Sequence, residues 1–186
     1  MSSSWRSDIA AGHTIVIDGG TGSELQRRGV PMDQTCWHAL AAVTHQSELV
    51  SVHVDFINAG ARVITTNTFA SHRYVLRAGG YDDQYEQVIE ASVAAVRRAR
   101  METGIDVAIA GSVSCMPPAF DTANYPDAET ARASYVEQAQ RLAELGVDVI
   151  ALEMIQDAEH GGWALDAATE TGLPVWLGFT CRAEPA

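Results

Sequence analysis

Lysine is absent: all 12 basic residues in the 186-residue chain are arginines. That removes Schiff-base catalysis and the phosphate-binding lysine of the P-loop. Basic charge is scarce overall, with 24 acidic residues against 12 basic and a formal net charge of -12. So acidic a chain offers no phosphate-binding face, which argues against nucleic acid as a partner. Cysteine is also sparse. Cys36, Cys115 and Cys181 lie far apart with no C-x-x-C pair. An odd, scattered set does not make a disulfide framework; it fits a reducing cytoplasm and small buried hydrophobes. No apolar run approaches the ~18 residues of a membrane span, and the opening MSSSWRSDIAAGH has no apolar signal core.

What the chain does contain is a repeat. Four times a glycine, two further residues and a valine lead into an apolar run: Gly60-Ala61-Arg62-Val63, Gly104-Ile105-Asp106-Val107, Gly146-Val147-Asp148-Val149 and Gly172-Leu173-Pro174-Val175. Glycine suits the left-handed residue that ends a helix. The runs VITT, VAIAG, VIALE and VWLGF are apolar without alternation, as strands covered on both faces read. A further run at 14–17 precedes them and ends at Asp18. Segments of helical periodicity lie between: one capped by Thr44 and running toward Gly60, one over about 83–103, and two capped by Asp127 and Asp157 that end near Leu145 and Thr171. Five strands alternating with four helical connections predict an α/β fold of parallel (β/α) repeats. Length favours a complete doubly wound sheet, because an eight-stranded barrel needs at least roughly 200 residues.

In either architecture ligands bind at the carboxyl ends of the strands. The residues there are Asp18-Gly19-Gly20-Thr21-Gly22, Thr65-Thr66-Asn67-Thr68-Phe69, Gly111-Ser112-Val113-Ser114, Glu153 and Thr180-Cys181-Arg182. Two carboxylates, an amide and several hydroxyls on one rim suit a small zwitterion, with carboxylates for an ammonium and donors for its carboxylate. Asp18 and Thr66 have a plainer reading as loop caps; a lone Glu153 after an apolar strand is costly to bury without a partner. The glycine cluster reads as a tight turn beside a ligand, since Leu25 stands where a dinucleotide fingerprint needs its third glycine. His53 and Asp55 lie two apart on different helix faces and read as helix packing or surface, not as a metal pair. Trp37 is either a core aromatic or a wall over the substrate. His72 and Arg73 face either the rim or solvent.

The phrases D-G-G-T-G-S-E-L-Q-R-R-G (18–29), A-G-A-R-V-I-T-T-N-T-F (59–69), A-G-S-V (110–113) and G-V-D-V-I-A-L-E (146–153) resemble the homocysteine S-methyltransferase family, over about 14–182. That resemblance implies a TIM-type (β/α)8 barrel. The chain is then one domain over 1–186, the first five strands of an incomplete barrel lacking its C-terminal part. It further implies methyl transfer from a sulfonium, betaine or folate donor to the thiol of homocysteine, giving methionine. Zinc is the family's cofactor: it holds a thiol as its reactive thiolate. The family's zinc-binding cysteines belong to phrases that this sequence does not contain, so no metal ligand is assigned to it. The resemblance assigns the amino group of homocysteine to Asp18 and Glu153. It assigns the polar turn to Thr66, Asn67 and Thr68, and the loop after the first strand to Gly19, Gly20 and Trp37, where a cationic donor could meet an indole face. Two other readings stand beside it: a zinc-free amino-acid-binding or partner protein, and an unrelated doubly wound enzyme. An unclosed barrel exposes two strand edges, so the expectation is self-association or a complementary C-terminal segment.

Overall fold

The computed structural model describes residues 5–181. In chain order its helices and strands are α1 (Trp5–Ala10), α2 (Thr21–Arg27), α3 (Ala41–Thr44), α4 (Gln46–Asn58), β1 (Val63–Thr65), α5 (Arg73–Ala78), α6 (Tyr85–Thr103), β2 (Ala108–Ser114), α7 (Ala128–Glu144), β3 (Val149–Ile155), α8 (Ala158–Glu170) and β4 (Val175–Phe179). All neighbouring strands are parallel and their order is β1-β2-β3-β4. A sheet whose order follows the chain has no reversal point, and a doubly wound sheet needs one. The (β/α) repeat is therefore wound one way only, as in a barrel.

The four repeat glycines all adopt positive φ: Gly60 at 113°, Gly104 at 66°, Gly146 at 71° and Gly172 at 72°. Each turns the chain out of a helix and into a strand. Asp127 and Asp157 cap α7 and α8, accepting from the Thr130 and His160 backbone N–H groups at 2.8 Å each. Thr44 does not cap α4. It closes the short α3 and donates its hydroxyl to the Leu40 carbonyl at 2.9 Å, and α4 starts at Gln46.

Four strands are present among the described residues where five were expected. Residues 14–17 form no strand; Ile17 makes one isolated parallel bridge to Val63. Around it the Arg62 N–H donates to the Val16 carbonyl at 2.8 Å, and the Asp18 N–H to that of Val63 at 3.1 Å. The run lies parallel to β1, but it is paired on one side only. Val16 is 56% and Ile17 53% exposed, so no second ladder extends it. Its placement still brings Asp18 to the same end as Thr65.

The sheet divides its alternate residues between two faces. Ile64, Ile109, Val113, Ile150 and Leu152 join the large core beneath α4, α6, α7 and α8. Val63, Ala108, Ala110, Val149 and Ala151 form a second cluster on the opposite, inner face. That face is covered by Trp5 of α1, which the sequence reading did not anticipate; its ring meets Trp176 of β4 edge-on at 5.4 Å. Cys36 and Cys115 are buried, whereas Cys181, directly after the edge strand β4, is exposed rather than buried as expected.

Candidate functional site

Further along the inner face the residue type changes. Thr65 follows Val63, Ser112 follows Ala110, and Glu153 follows Ala151, each two positions on and so on the same face. Asp18 joins them from the run beside β1. One of its carboxylate oxygens accepts from the Thr65 N–H at 2.8 Å and from the Thr65 hydroxyl at 2.9 Å. Glu153 accepts a hydrogen bond from the Ser112 hydroxyl. The β3–β4 register shifts between Leu152 and Ile155, and Met154 sits at φ +54°. That is a β-bulge, a device that re-aims side chains beside binding sites.

Both carboxyl groups are half-buried, and the loss of water around them dominates their acidity. Burial pushes Asp18 up to about 7, against the two Thr65 hydrogen bonds that pull it down; the nearby Glu153 charge adds to the rise. Burial also raises Glu153, opposed by the Ser112 hydrogen bond. Among the described residues no arginine or histidine pairs with either one. Two half-buried carboxyl groups with hydroxyl donors but no cation leave room for a positive charge brought by a ligand.

Beside them lies a cavity of about 350 Å³. Of the expected site residues, Gly19, Gly20, Trp37, Thr66, Asn67 and Glu153 line it. Asp18 stands behind Thr65, which lines the cavity and binds it. Thr68 does not line it. The Thr68 hydroxyl donates to the Ser112 carbonyl at 2.7 Å, which leaves the Thr66 hydroxyl to donate to Thr68 and to accept from the Ser112 N–H at 3.1 Å. These two threonines latch the turn after β1 onto β2. Asn67 donates its amide N–H to the His38 carbonyl at 2.8 Å and so ties that turn to the loop carrying Trp37.

The glycines act through close approach. A Cβ on Gly19 would stand 3.0 Å from the Phe56 ring, and one on Gly22 would stand 3.2 Å from the Trp37 indole. Trp37 is a wall of the cavity, held at φ +50°. Asp33 fixes that loop: its Oδ1 accepts from the Thr35 and Cys36 N–H groups at 2.7 and 2.9 Å, and its own N–H donates to the Trp37 carbonyl at 2.8 Å. The Trp37 ring meets Phe69 at 6.0 Å and Phe120 at 5.2 Å.

Three polar atoms in this wall are buried without a partner: Thr21 Oγ1, Trp37 Nε1 and His38 Nδ1. Sequence reasoning quoted Thr21 within the glycine cluster but assigned it no role, and passed over His38 beside Trp37. Their only signal was adjacency to those motifs. His72 and Arg73 point elsewhere. His72 is buried against the Ser114 carbonyl, with burial lowering its pKa to about 4. Arg73 pairs with Glu137 at 2.6 Å and Asp82 at 3.1 Å. His53 is buried in α4 while Asp55 binds Arg28 at 2.6 Å on another face.

A zinc centre needs several ligands that converge, and among the described residues no three His, Cys, Asp or Glu side chains do so. Cys36 and Cys115 are shut into the core, where burial pushes their thiols up to about 12 and about 11, the reverse of a metal-ready thiolate. The described residues do not fit such a centre.

The family described as homocysteine S-methyltransferase matches residues 15–185. Selenocysteine methyltransferase of Astragalus bisulcatus is 28% identical over 92% of this chain and 60% of its own length. Homocysteine S-methyltransferase 3 of Arabidopsis thaliana is 26% identical over 92% of this chain and 58% of its own. Betaine–homocysteine S-methyltransferase 1 of Bos taurus is 28% identical over 90% and 40%. The chain thus spans 60% or less of the length of these relatives. Among solved structures, the metallated form of the homocysteine methyltransferase MmuM from Escherichia coli superposes with a TM-score of 0.81 at 24% identity, covering 97% of this chain and 67% of that one. The oxidised form gives 0.76 at 25% identity, covering 90% and 62%.

Proposed function

The chain belongs to the homocysteine S-methyltransferase family, and from that premise we propose that its cavity holds homocysteine as a zwitterion, for methyl transfer to its thiol. Asp18 and Glu153 take the ammonium group. The observation that carries this reading is the pair of half-buried carboxyl groups with no basic partner among the described residues. An ammonium between them supplies the missing charge and converts both to their ionised forms. The product of methyl transfer is methionine, and the donor is a sulfonium, a betaine or a folate. The indole of Trp37, backed by Phe69 and Phe120, supports a cationic donor at the cavity's mouth.

Titration calorimetry tests the amino-acid site. Homocysteine binds the wild type, and Asp18→Asn or Glu153→Gln weakens it by about 10- to 100-fold, the worth of a hydrogen bond to a charged group. No heat with the wild type at millimolar ligand overturns the proposal.

A second reading is an amino-acid-binding or partner protein without zinc; what favours it is that Cys36 and Cys115 are shut into the core with their thiols pushed up by burial. On that reading residues 1–186 hold no stoichiometric zinc and bind homocysteine without methyl transfer. Methionine formed from any of the three donor classes eliminates it. Exposed Val16 and Ile17 at one sheet edge and Phe179 at the other, 67% exposed, support association with a second copy or a further barrel segment. A monomer by light scattering removes the second copy. No described helix is long and apolar enough to cross a membrane.

A further inference from the structure

Thr21 is 7% and His38 3% exposed, yet Thr21 Oγ1 and His38 Nδ1 have no hydrogen-bond partner, and neither has the buried Nε1 of Trp37. All three residues line the one cavity. The two ring nitrogens converge beside Gly22: a Cβ there would stand 3.2 Å from Trp37 Nε1 and 3.4 Å from His38 Nδ1. Glycine at position 22 therefore leaves both ring nitrogens free of a side chain that would crowd them. Buried polar atoms left unpaired are costly, so three together in a cavity wall mark the place of a polar ligand group.

Their chemistry restricts that group. The indole N–H only donates. His38 Nε2 faces the Val30 carbonyl oxygen at 3.4 Å, and that oxygen only accepts, so the imidazole proton belongs on Nε2 and Nδ1 offers a lone pair. Burial lowers the His38 pKa, which keeps the ring neutral. The Thr21 hydroxyl turns to suit either role. The corner thus asks for an acceptor and an N–H donor side by side. An α-amino acid carries that pair on one carbon; a betaine has the carboxylate but no N–H.

We infer that Thr21, Trp37 and His38 are substrate-binding residues that orient the amino acid. Thr21 Oγ1–H and Trp37 Nε1–H donate to its carboxylate, and His38 Nδ1 accepts one ammonium N–H. This rests on the amino-acid reading of the cavity; it adds the carboxylate end, which Asp18 and Glu153 do not hold, and a third acceptor for the ammonium that they do. The corner fixes which way round the amino acid lies and keeps a fully N-methylated amine out of the amino acid's own place, leaving the indole face at the mouth to the donor.

Calorimetry with four probes tests it: L-methionine, its methyl ester, 4-methylthiobutanoate (which lacks the amino group) and betaine. Thr21→Val preserves the side chain's shape and weakens methionine about tenfold while changing the ester less than twofold. Thr21→Ser returns the hydroxyl and restores the affinity, which separates lost contact from lost fold. His38→Phe weakens methionine severalfold and leaves 4-methylthiobutanoate unchanged. Equal losses for methionine and its ester in Thr21→Val overturn the assignment, as does a loss confined to betaine, which would move the corner to the methyl donor. If Asp18→Asn weakens methionine and Thr21→Val does not, the corner assignment fails alone. If the wild type binds no methionine, the amino-acid reading fails and takes the corner with it.

Discussion

The inner face of the sheet has two ends built by the same strands, and they solve opposite problems. At the amino-terminal end Val63, Ala108, Val149 and Ala151 are small and apolar, and Trp5 and Trp176 close over them. Two residues on, Thr65, Ser112 and Glu153 replace them, with Asp18 alongside. One end is filled by the protein's own indoles; the other keeps a cavity and two half-buried carboxyl groups that no cation among the described residues pairs with. The strands run on from one end to the other, and what changes is the side-chain chemistry together with the bulge at Met154 that re-aims the β3 residues beside the cavity. Stability and binding are thereby separated along one face. Trp5→Ala tests this separation most severely. Removing a 5% exposed indole should cost about 3–5 kcal/mol, a large part of a domain's stability, read as a fall in melting temperature. Below that melting temperature homocysteine affinity should change less than twofold. If affinity collapses while the fold survives, the two ends are not independent.

The polar end responds to pH where the apolar end does not. Asp18 titrates near 7 in the folded chain against about 3.8 unfolded. The folded state therefore binds more protons than the unfolded state between those values, and stability without ligand falls as pH rises from about 4 to 7. The span corresponds to at most about 4 kcal/mol. Asp18→Asn should flatten that slope in denaturation measured across the window. Ligand affinity has the opposite sign: an ammonium prefers ionised Asp18, so homocysteine should bind up to about tenfold tighter per pH unit from 5 to 7 and level off above. Affinity that is flat over this range shows that Asp18 does not meet the ammonium.

The same contrast explains what was legible in advance. The repeat glycines declare themselves because a left-handed residue after a helix has one cheap solution, and all four occupy it. Asp18 and Glu153 were legible because each ends an apolar run with a charge. Residues 14–17 look like the other runs, yet they meet β1 through one isolated bridge and gain no second neighbour among the described residues, which is tertiary information. Trp5 lay in a stretch with no periodic signal, and its role depends on Trp176, far along the chain. Thr21 and His38 have ordinary surroundings in sequence. Only the folded loops show that their polar atoms lack partners.

The smallest expected effect concerns one hydroxyl. Ser112 stands two residues beyond Ala110 and donates to Glu153. Its hydrogen bond opposes the rise in pKa that burial imposes on that carboxyl group. Ser112→Ala makes the same face apolar one layer further and leaves Glu153 with less support for its charge. The apo protein should lose little, because a neutral Glu153 tolerates burial better than a charged one. The complex should lose more, since the ammonium needs the ionised form. Homocysteine affinity should fall about three- to tenfold at pH 7, in line with about 1 kcal/mol for one hydrogen bond, and the deficit should vanish in a Glu153→Gln background, where there is no charge to support. A deficit of equal size in both backgrounds would mean that Ser112 acts by packing alone. The boundary between the two ends would then be a matter of shape, with charge support confined to Asp18 and Thr65.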